Sequence, residues 1–218
     1  MKLKSKKRPQ SWTGNVQTVE VGERLRLIPY WERAFAADDR INIVIDPGPS
    51  FGAGDHPSTI MALELLEFAI AAFAKQGDGP TVLDVGTGTG VLAIAARVLG
   101  ASFTVGFDTD SAAVYTARRN FRLNHIAHND RQGGSELFVG STEAVAATFD
   151  VVLANLAAPT LIRLSPDLCR LTSRFSILSG IAEAMKEAVR ETYASLGLEL
   201  VKRMEREEWN AGLWMRPG

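Results

Sequence analysis

Short apolar runs alternate with segments of helical apolar spacing along most of the chain. The runs are rich in β-branched residues and are closed by glycine, aspartate, serine or asparagine, which is typical of strands buried in a parallel sheet. Because parallel strands need crossover connections, this alternation predicts a sheet covered by helices on both faces. The predicted parallel strands are residues 81–85, 102–107, 137–139, 149–154 and 175–178.

Helices are predicted where apolar residues recur every three or four positions. Pro166 lies inside one such segment and predicts a break there. Residues 198–204 and 209–214 are separated by too few residues for a parallel connection, so they predict a C-terminal antiparallel hairpin. The expected fold is therefore α/β and Rossmann-like, with a mostly parallel seven-stranded sheet. The predicted helices are residues 57–75, 91–99, 111–123, 160–171 and 181–196.

The beginning of the chain departs from this alternation. Residues 16–21 and 24–28 alternate apolar and polar positions around Gly22 and Glu23, which predicts a small β-hairpin. Residues 41–45 form a further strand candidate. We therefore expect a basic tail with a short N-terminal extension over residues 1–40, followed by one α/β domain over residues 41–218.

The most informative stretch is the glycine turn between two predicted strands. Gly86, Gly88 and Gly90 follow the first strand, and without β-carbons they let a ligand lie against the main chain at a helix N-terminus. Asp108 ends the next strand, where its carboxylate can accept hydrogen bonds from both hydroxyls of a ribose. Asp84 precedes the turn and suits a ligand with a cationic part. The alternative is a tight turn that binds nothing.

The spacing of these glycines distinguishes between cofactors. The pattern is G-x-G-x-G, whereas the dinucleotide fingerprint is G-x-G-x-x-G and cradles a pyrophosphate. S-adenosyl-L-methionine carries a sulfonium and an ammonium and has no phosphate, so it fits the turn better than NAD does. No Tyr–Lys or His pair suggests hydride-transfer chemistry either. We therefore predict S-adenosyl-L-methionine as the cofactor.

A second polar segment, residues 46–59, is rich in glycine and proline and leads into a buried helix, which is typical of a loop that serves a site. The hydroxyls of Ser58 and Thr59, with free amides at the helix start, suit a carboxylate, although plain N-capping is the alternative. Polar or glycine residues also follow each predicted parallel strand. Since parallel strands end at one edge, these residues are expected to line one site: Gly86, Asp108, Ser141, Asn155 and Ser179.

Composition narrows the class of protein. Hydrophobic residues make up 46% of the chain, charged residues 22%, and the net charge is −1, which argues against a protein-wide nucleic-acid surface. Cys169 is the only cysteine, so no internal disulfide is possible and a cytoplasmic location is expected. No segment reads as a membrane span. His125 and His128 have ligand-like spacing but no second cluster, so no metal site is predicted.

The first residues of the chain are strongly basic. Lys2, Lys4, Lys6, Lys7 and Arg8 lie in a segment without apolar periodicity. The simplest interpretation is a solubilising tail. The alternative is a weak electrostatic contact with RNA or a ribonucleoprotein, so the sequence requires no direct nucleic-acid partner.

Several runs together resemble a known family. The runs are IDPGPSFGAGDHPST, LDVGTGTGVLAIAARVLGA, VGFDTD, FDVVLANLAAP and ILSGI. In combination they are similar to the PrmA-type ribosomal protein methyltransferases, a branch of the class I S-adenosylmethionine enzymes. The resemblance covers the chain from about Ile28 to its end. It implies a class I methyltransferase fold and transfer of a methyl group to a protein amino group, with a ribosomal protein among the candidate substrates.

The resemblance also implies roles for individual residues. Asn155 would sit beside the reacting methyl group, Asp108 would bind the ribose, and Gly86 and Gly88 would lie against the cofactor. The methionine end of the cofactor would be wrapped by three residues: Phe51, Gly52 and Thr59.

Methyl transfer from a sulfonium needs alignment and exclusion of water more than acid or base catalysis. Asn155 is the catalytic candidate because its side-chain oxygen can accept an amine N–H and orient the lone pair; the alternative is a turn residue after a strand. Family members usually carry an N-terminal recognition domain, whereas only about 40 residues precede the loop here, so a different or less selective protein target is expected. Two further functions stay open: methylation of a small amine, and a non-catalytic, cofactor-binding assembly factor.

Overall fold

The computed structural model describes residues 17–32, 39–47, 54–73, 79–127 and 134–218. These residues form two sheets and the helices that cover them. The strands are β1 Val19–Val21, β2 Leu25–Pro29, β3 Ile41–Ile45, β4 Thr81–Val85, β5 Phe103–Asp108, β6 Ser135–Val139, β7 Phe149–Asn155, β8 Thr172–Ala182, β9 Glu199–Arg206 and β10 Trp209–Met215. The helices are α1 Pro57–Ala71, α2 Val91–Leu99, α3 Ser111–Leu123, α4 Ala158–Leu171 and α5 Lys186–Ser195.

The larger sheet confirms the predicted fold class. Its seven strands lie in the order β6-β5-β4-β7-β8-β10-β9. Strands β4 to β8 pair in parallel, and β10 pairs antiparallel with both β8 and β9. The order reverses between β4 and β7, and in sheets of this kind the crevice at that point is where ligands bind.

Alternate residues of each central strand point to opposite faces of the sheet and contribute to two separate hydrophobic cores. Val82 and Val151 pack with helices α1, α2 and α3 on one face of the sheet. Leu83 and Val152 pack with α4 and α5 on the other face. Strands buried on both faces lack the alternation of polar and apolar residues, which explains the continuous apolar runs in the sequence.

The small sheet contains the predicted N-terminal hairpin, β1 paired antiparallel with β2. Strand β3 joins it by pairing in parallel with β2, so residues 41–45 belong to this sheet and not to the large one. The boundary expected between residues 40 and 41 stays a prediction. The basic tail, residues 2–8, lies outside the described residues.

Two expectations about the second half of the chain were wrong in detail. Helix α4 continues through Pro166, because the Ser165 hydroxyl donates to the carbonyl oxygen of Ile162 at 2.8 Å and so satisfies a group that proline cannot. The helix predicted from residue 181 begins at Lys186, after a 3₁₀ turn. The preceding residues stay extended because β8 pairs with β10 as far as Ala182.

Strand β9 forms one edge of the large sheet. The register with β10 shifts between Leu213 and Trp214, whose partners are Lys202 and Leu200. Val201 is therefore the extra residue of a β-bulge on the edge strand, and 47% of its surface is exposed. In the described part of the chain, no helix is both long and apolar enough to cross a membrane.

Candidate functional site

A cavity of about 530 Å³ opens at the carboxyl ends of the central parallel strands. Its walls come from the turn after β4, the end of β5, the end of β7, the start of α1 and the start of β10. Among the residues singled out in the sequence, the cavity is lined by Ser58, Thr59, Gly86, Gly88, Asp108 and Asn155. Phe51 and Gly52 lie outside the described residues.

The glycine turn forms the floor of this cavity. Gly86 and Gly88 have positive φ angles of 72° and 53°, which favour glycine. The amides of Gly86 and Thr87 both donate to the carbonyl oxygen of Phe107, at 3.0 and 2.9 Å, so the turn folds over the end of β5. A β-carbon on Gly86 would lie 2.6 Å from Leu156 Cδ2. Leu156 could move aside, so the positive φ angles are the main reason that the turn requires glycine.

Asp108 stands half-buried at the end of β5, beside the turn. Its Oδ2 accepts the Gly88 amide and its Oδ1 accepts the Asp110 amide, each at 3.0 Å. These two bonds fix the carboxylate but leave lone pairs on both oxygens. Asp108 can therefore still accept hydrogen bonds from two neighbouring hydroxyls of a ligand.

Asp84 lies beneath the turn and is only 1% exposed. Its Oδ2 accepts the Thr87 hydroxyl at 2.7 Å and the Ala93 amide at 3.3 Å. Asp84 does not line the cavity, so any interaction with a ligand's cationic part would be indirect. Desolvation raises the pKa of Asp84 to about 6; the bonds from Thr87 and Ala93 oppose this rise and the charge of Asp108 adds to it.

This raised pKa predicts that stability falls as the pH rises from about 4 to about 6. In the unfolded chain Asp84 has an ordinary pKa, so it loses its proton at a lower pH than in the folded protein. The free energy of unfolding therefore falls by about 3 kcal/mol across this window. Asn at position 84 stays neutral and can accept the same two bonds. Urea unfolding of Asp84→Asn between pH 4 and pH 7 should show this fall removed.

The matched control is Glu136→Gln, because Glu136 is an exposed acid on β6. It should keep the pH dependence of the unchanged protein. Equal pH slopes in Asp84→Asn and the unchanged protein would show that the Asp84 proton is not coupled to folding.

Asn155 ends β7 and, among the described residues, presents the one side-chain amide on the cavity wall. Its Nδ2 donates to Thr59 Oγ1 at 3.2 Å, which fixes which way the amide is turned. Its Oδ1 is buried and has no hydrogen-bond partner among the described residues. A β-carbon on Gly180 would lie 3.0 Å from this oxygen. Because an unpaired buried acceptor is costly, Asn155 Oδ1 is suited to a donor that arrives with a ligand.

The start of α1 is tied to β8 and to its own cap. The Ser179 hydroxyl donates to the Ser58 carbonyl oxygen at 2.8 Å. His56 Nδ1 accepts the Ser58 amide at 3.2 Å, and the Thr59 amide donates to the His56 carbonyl oxygen at 2.9 Å. The capping alternative is therefore correct for these amides, and what the helix start offers a ligand is the Thr59 hydroxyl proton.

Trp209 was not singled out in the sequence, although it lines the cavity. It begins β10, and its ring lies 4.9 Å from the ring of His56 in an edge-on arrangement. The one signal in the sequence was that Trp209 is an aromatic residue directly after a predicted turn. Ser141, in contrast, was expected at the site but does not line the cavity, and its hydroxyl donates to Glu143.

Asn120 was also missed, and it connects two walls of the site. It lies in α3, is 0% exposed, and hydrogen-bonds to the backbone of Asp46 and of Thr89. The signal that could have found it is a polar residue on a helix face otherwise formed by Val114, Ala117 and Phe121.

Of the two histidines with ligand-like spacing, the structure describes one. His125, beyond the end of α3, is exposed, and His128 lies outside the described residues. Within the residues that the structure covers, no group of three or more His, Cys, Asp or Glu side chains could hold a metal ion.

Comparisons with known proteins agree on one family. The family described as "Ribosomal protein L11 methyltransferase (PrmA)" matches residues 2–216. Relatives called ribosomal protein L11 methyltransferase are 38% identical to the chain in both Pelobacter propionicus, over 208 residues, and Myxococcus xanthus, over 200 residues. These matches cover 94% and 91% of the chain and 65% of each relative. The chain thus spans about two thirds of the length of these curated relatives.

A solved structure gives the same result. The crystal structure of a ribosomal protein L11 methylase from Lactobacillus delbrueckii subsp. bulgaricus superposes with a TM-score of 0.79 at 29% identity. The match covers 93% of this chain and 100% of that one.

Proposed function

The chain belongs to the ribosomal protein L11 methyltransferase (PrmA) family, and from this premise we propose that it transfers a methyl group from S-adenosyl-L-methionine to an amino nitrogen of a protein. The acceptor is a lysine side chain or an N-terminal amine. The observation that carries the proposal is that Asn155 Oδ1, which has no hydrogen-bond partner among the described residues, shares one cavity with the glycine turn and Asp108. Residues 41–218 are proposed as the methyltransferase domain.

The cavity suits this cofactor on three counts. Gly86 has no β-carbon and lines the cavity, so a ligand can lie against the main chain of the turn. Asp108 keeps acceptor capacity for a ribose diol, and its charge disfavours a phosphate beside it. The Thr59 hydroxyl accepts from Asn155 and so keeps its proton for a carboxylate or another acceptor. These groups recognise the neutral sugar and the amino-acid end of one molecule.

When bound, the cofactor supplies an electrophilic methyl group on a sulfonium. Asn155 Oδ1 accepts an N–H of the target amine and thereby turns the nitrogen lone pair toward the methyl. The contact with Thr59 holds the Asn155 amide in the orientation that this requires. Positioning of this kind makes a bimolecular displacement effectively intramolecular.

The target amine must lose its proton before it reacts. A lysine has an ordinary pKa of about 10.4, and transfer into a cavity walled by Val91, Leu92 and Leu156 lowers it by desolvation. The proton leaves to solvent as the amine enters, so the reaction needs no dedicated base. In this account, exclusion of water and alignment of the amine carry the catalysis.

The proposed partner is a ribosomal protein. The relatives called ribosomal protein L11 methyltransferase support a protein acceptor over a small amine. Residues 1–40 are proposed as a basic tail with a short extension, and the tail would add a salt-sensitive attraction to an RNA-bearing or acidic partner.

The test is incubation with methyl-labelled S-adenosylmethionine and a lysate from a strain that lacks its own enzyme of this family. We expect label in a ribosomal protein, with mass spectrometry locating it on lysine or N-terminal nitrogen. Asn155→Ala is the matched control and should label the band on the order of 100-fold more slowly. Label confined to small molecules would instead indicate a small-amine methyltransferase, and cofactor binding without any labelling would indicate a non-catalytic role.

A further inference from the structure

Two asparagines, Asn120 in α3 and Asn124 at its C-terminal cap, hydrogen-bond in the same way to the backbone in and just after β3. Asn124 accepts the Val44 amide and donates to the Val44 carbonyl oxygen, both at 2.7 Å. One turn earlier, Asn120 accepts the Asp46 amide at 2.8 Å and donates to the Asp46 carbonyl oxygen at 2.9 Å. Each side chain thus forms, with one backbone residue, the two hydrogen bonds that a neighbouring strand would form in a sheet.

The two asparagines differ in their third hydrogen bond. Asn124 Nδ2 donates to the carbonyl oxygen of Asn120, within its own helix, at 2.8 Å. Asn120 Nδ2 donates to the carbonyl oxygen of Thr89, inside the glycine turn, at 2.9 Å. Only Asn120 therefore joins the N-terminal sheet to the floor of the cavity.

The location of Asp46 gives this bond its significance. Asp46 directly follows β3, the strand that pairs in parallel with β2, so Asn120 ties the end of the small sheet to the glycine turn. Helix α3 also presses against the turn, because a β-carbon on Gly90 would lie 3.0 Å from Ala117 Cβ. The Asn120 amide is fully buried, so its bonds are shielded from competing water.

We propose that Asn120 is a positioning residue, which fixes the glycine turn relative to the end of β3 through the carbonyl oxygen of Thr89 and so keeps the floor of the cavity in the shape that fits the cofactor. This inference rests on the proposed function. It predicts that Asn120 affects cofactor affinity more than it affects the chemical step, since neither Asp46 nor Thr89 is a reacting group. Asn124 should matter for the stability of the small sheet alone.

The experiment measures binding of S-adenosylhomocysteine by calorimetry to the unchanged protein, Asn120→Ala and Asn124→Ala, with urea unfolding of all three. We expect similar losses of stability in the two variants, because each loses three hydrogen bonds. The dissociation constant should rise about 10-fold or more in Asn120→Ala and less than about 2-fold in Asn124→Ala. At saturating cofactor, kcat of Asn120→Ala should return close to that of the unchanged protein while its cofactor KM stays raised.

Equal dissociation constants in the two variants would overturn the inference and leave the proposed function standing. Failure of the unchanged protein to bind S-adenosylhomocysteine would overturn both. If Asn120→Ala does not fold, amide exchange in the unchanged protein decides: added S-adenosylhomocysteine should slow exchange of the Asp46 amide, which donates to Asn120. Unaltered exchange at Asp46 would overturn the inference.

Discussion

Asn155→Ala is expected to lower kcat by on the order of 100-fold while changing the dissociation constant of S-adenosylhomocysteine by less than about 3-fold. The Asn155 oxygen is buried and without a partner among the described residues, so its bond forms only when the amine of the substrate enters. A bond made to the reacting nitrogen affects the rate of methyl transfer, whereas the cofactor is held mainly by the turn and Asp108. Single-turnover kinetics with saturating cofactor separates the two effects.

The matched control is Ser141→Ala. Ser141 also follows a parallel strand, but it does not line the cavity and its hydroxyl donates to Glu143. It should retain a kcat within about 2-fold of the unchanged protein, because no contact to the reacting groups is lost. If Asn155→Ala keeps the kcat of the unchanged protein, Asn155 is only a turn residue at the end of β7.

Asp108→Ala is expected to weaken cofactor binding about 10- to 100-fold and leave the protein folded. The variant would lose a charge-assisted hydrogen bond from a ribose hydroxyl, which is worth about 1.5–3 kcal/mol. Because Asp108 also accepts the Gly88 and Asp110 amides, its removal would loosen the turn as well. Calorimetry with S-adenosylhomocysteine measures the loss directly.

A nearby acid provides the comparison for Asp108. Asp110 lines the same cavity, and its side chain caps α3 by accepting the Ala112 amide at 2.8 Å. Asp110→Ser keeps a capping oxygen while removing a charge from the wall, so affinity should change by less than about 3-fold. A larger loss in Asp110→Ser than in Asp108→Ala would place the ribose next to Asp110 instead.

Much of the fold is predictable because its signals are local. The mainly apolar run before Gly86 indicates a strand buried on both faces, and glycines that need positive φ mark the turn. Strand ends are where a parallel sheet exposes polar groups, so Asp108 and Asn155 could be selected from their positions alone. The same reasoning selected Ser141, which follows β6 but does not line the cavity.

The remaining features depend on partners distant in sequence. Asn120 acquires its role from Asp46, 74 positions away, and nothing next to it in the chain indicates that contact. Trp209 reaches the cavity because β10 pairs with β8, which a local pattern does not specify. The same pairing keeps residues near Ala182 extended against their helical pattern. Tertiary contacts overrode local preference at each of these positions.

The bulge at Val201 bears on how copies of this protein behave at high concentration. An edge strand offers unpaired amides and carbonyls to any other extended chain, which is the usual start of aggregation through sheet-to-sheet joining. The extra residue in β9 twists that edge and interrupts its regular pattern of donors and acceptors. The charged residues beside it, Lys202 and Arg203, are exposed and repel an identical strand in parallel register. The irregular edge thus protects solubility in a protein whose remaining strands are strongly apolar.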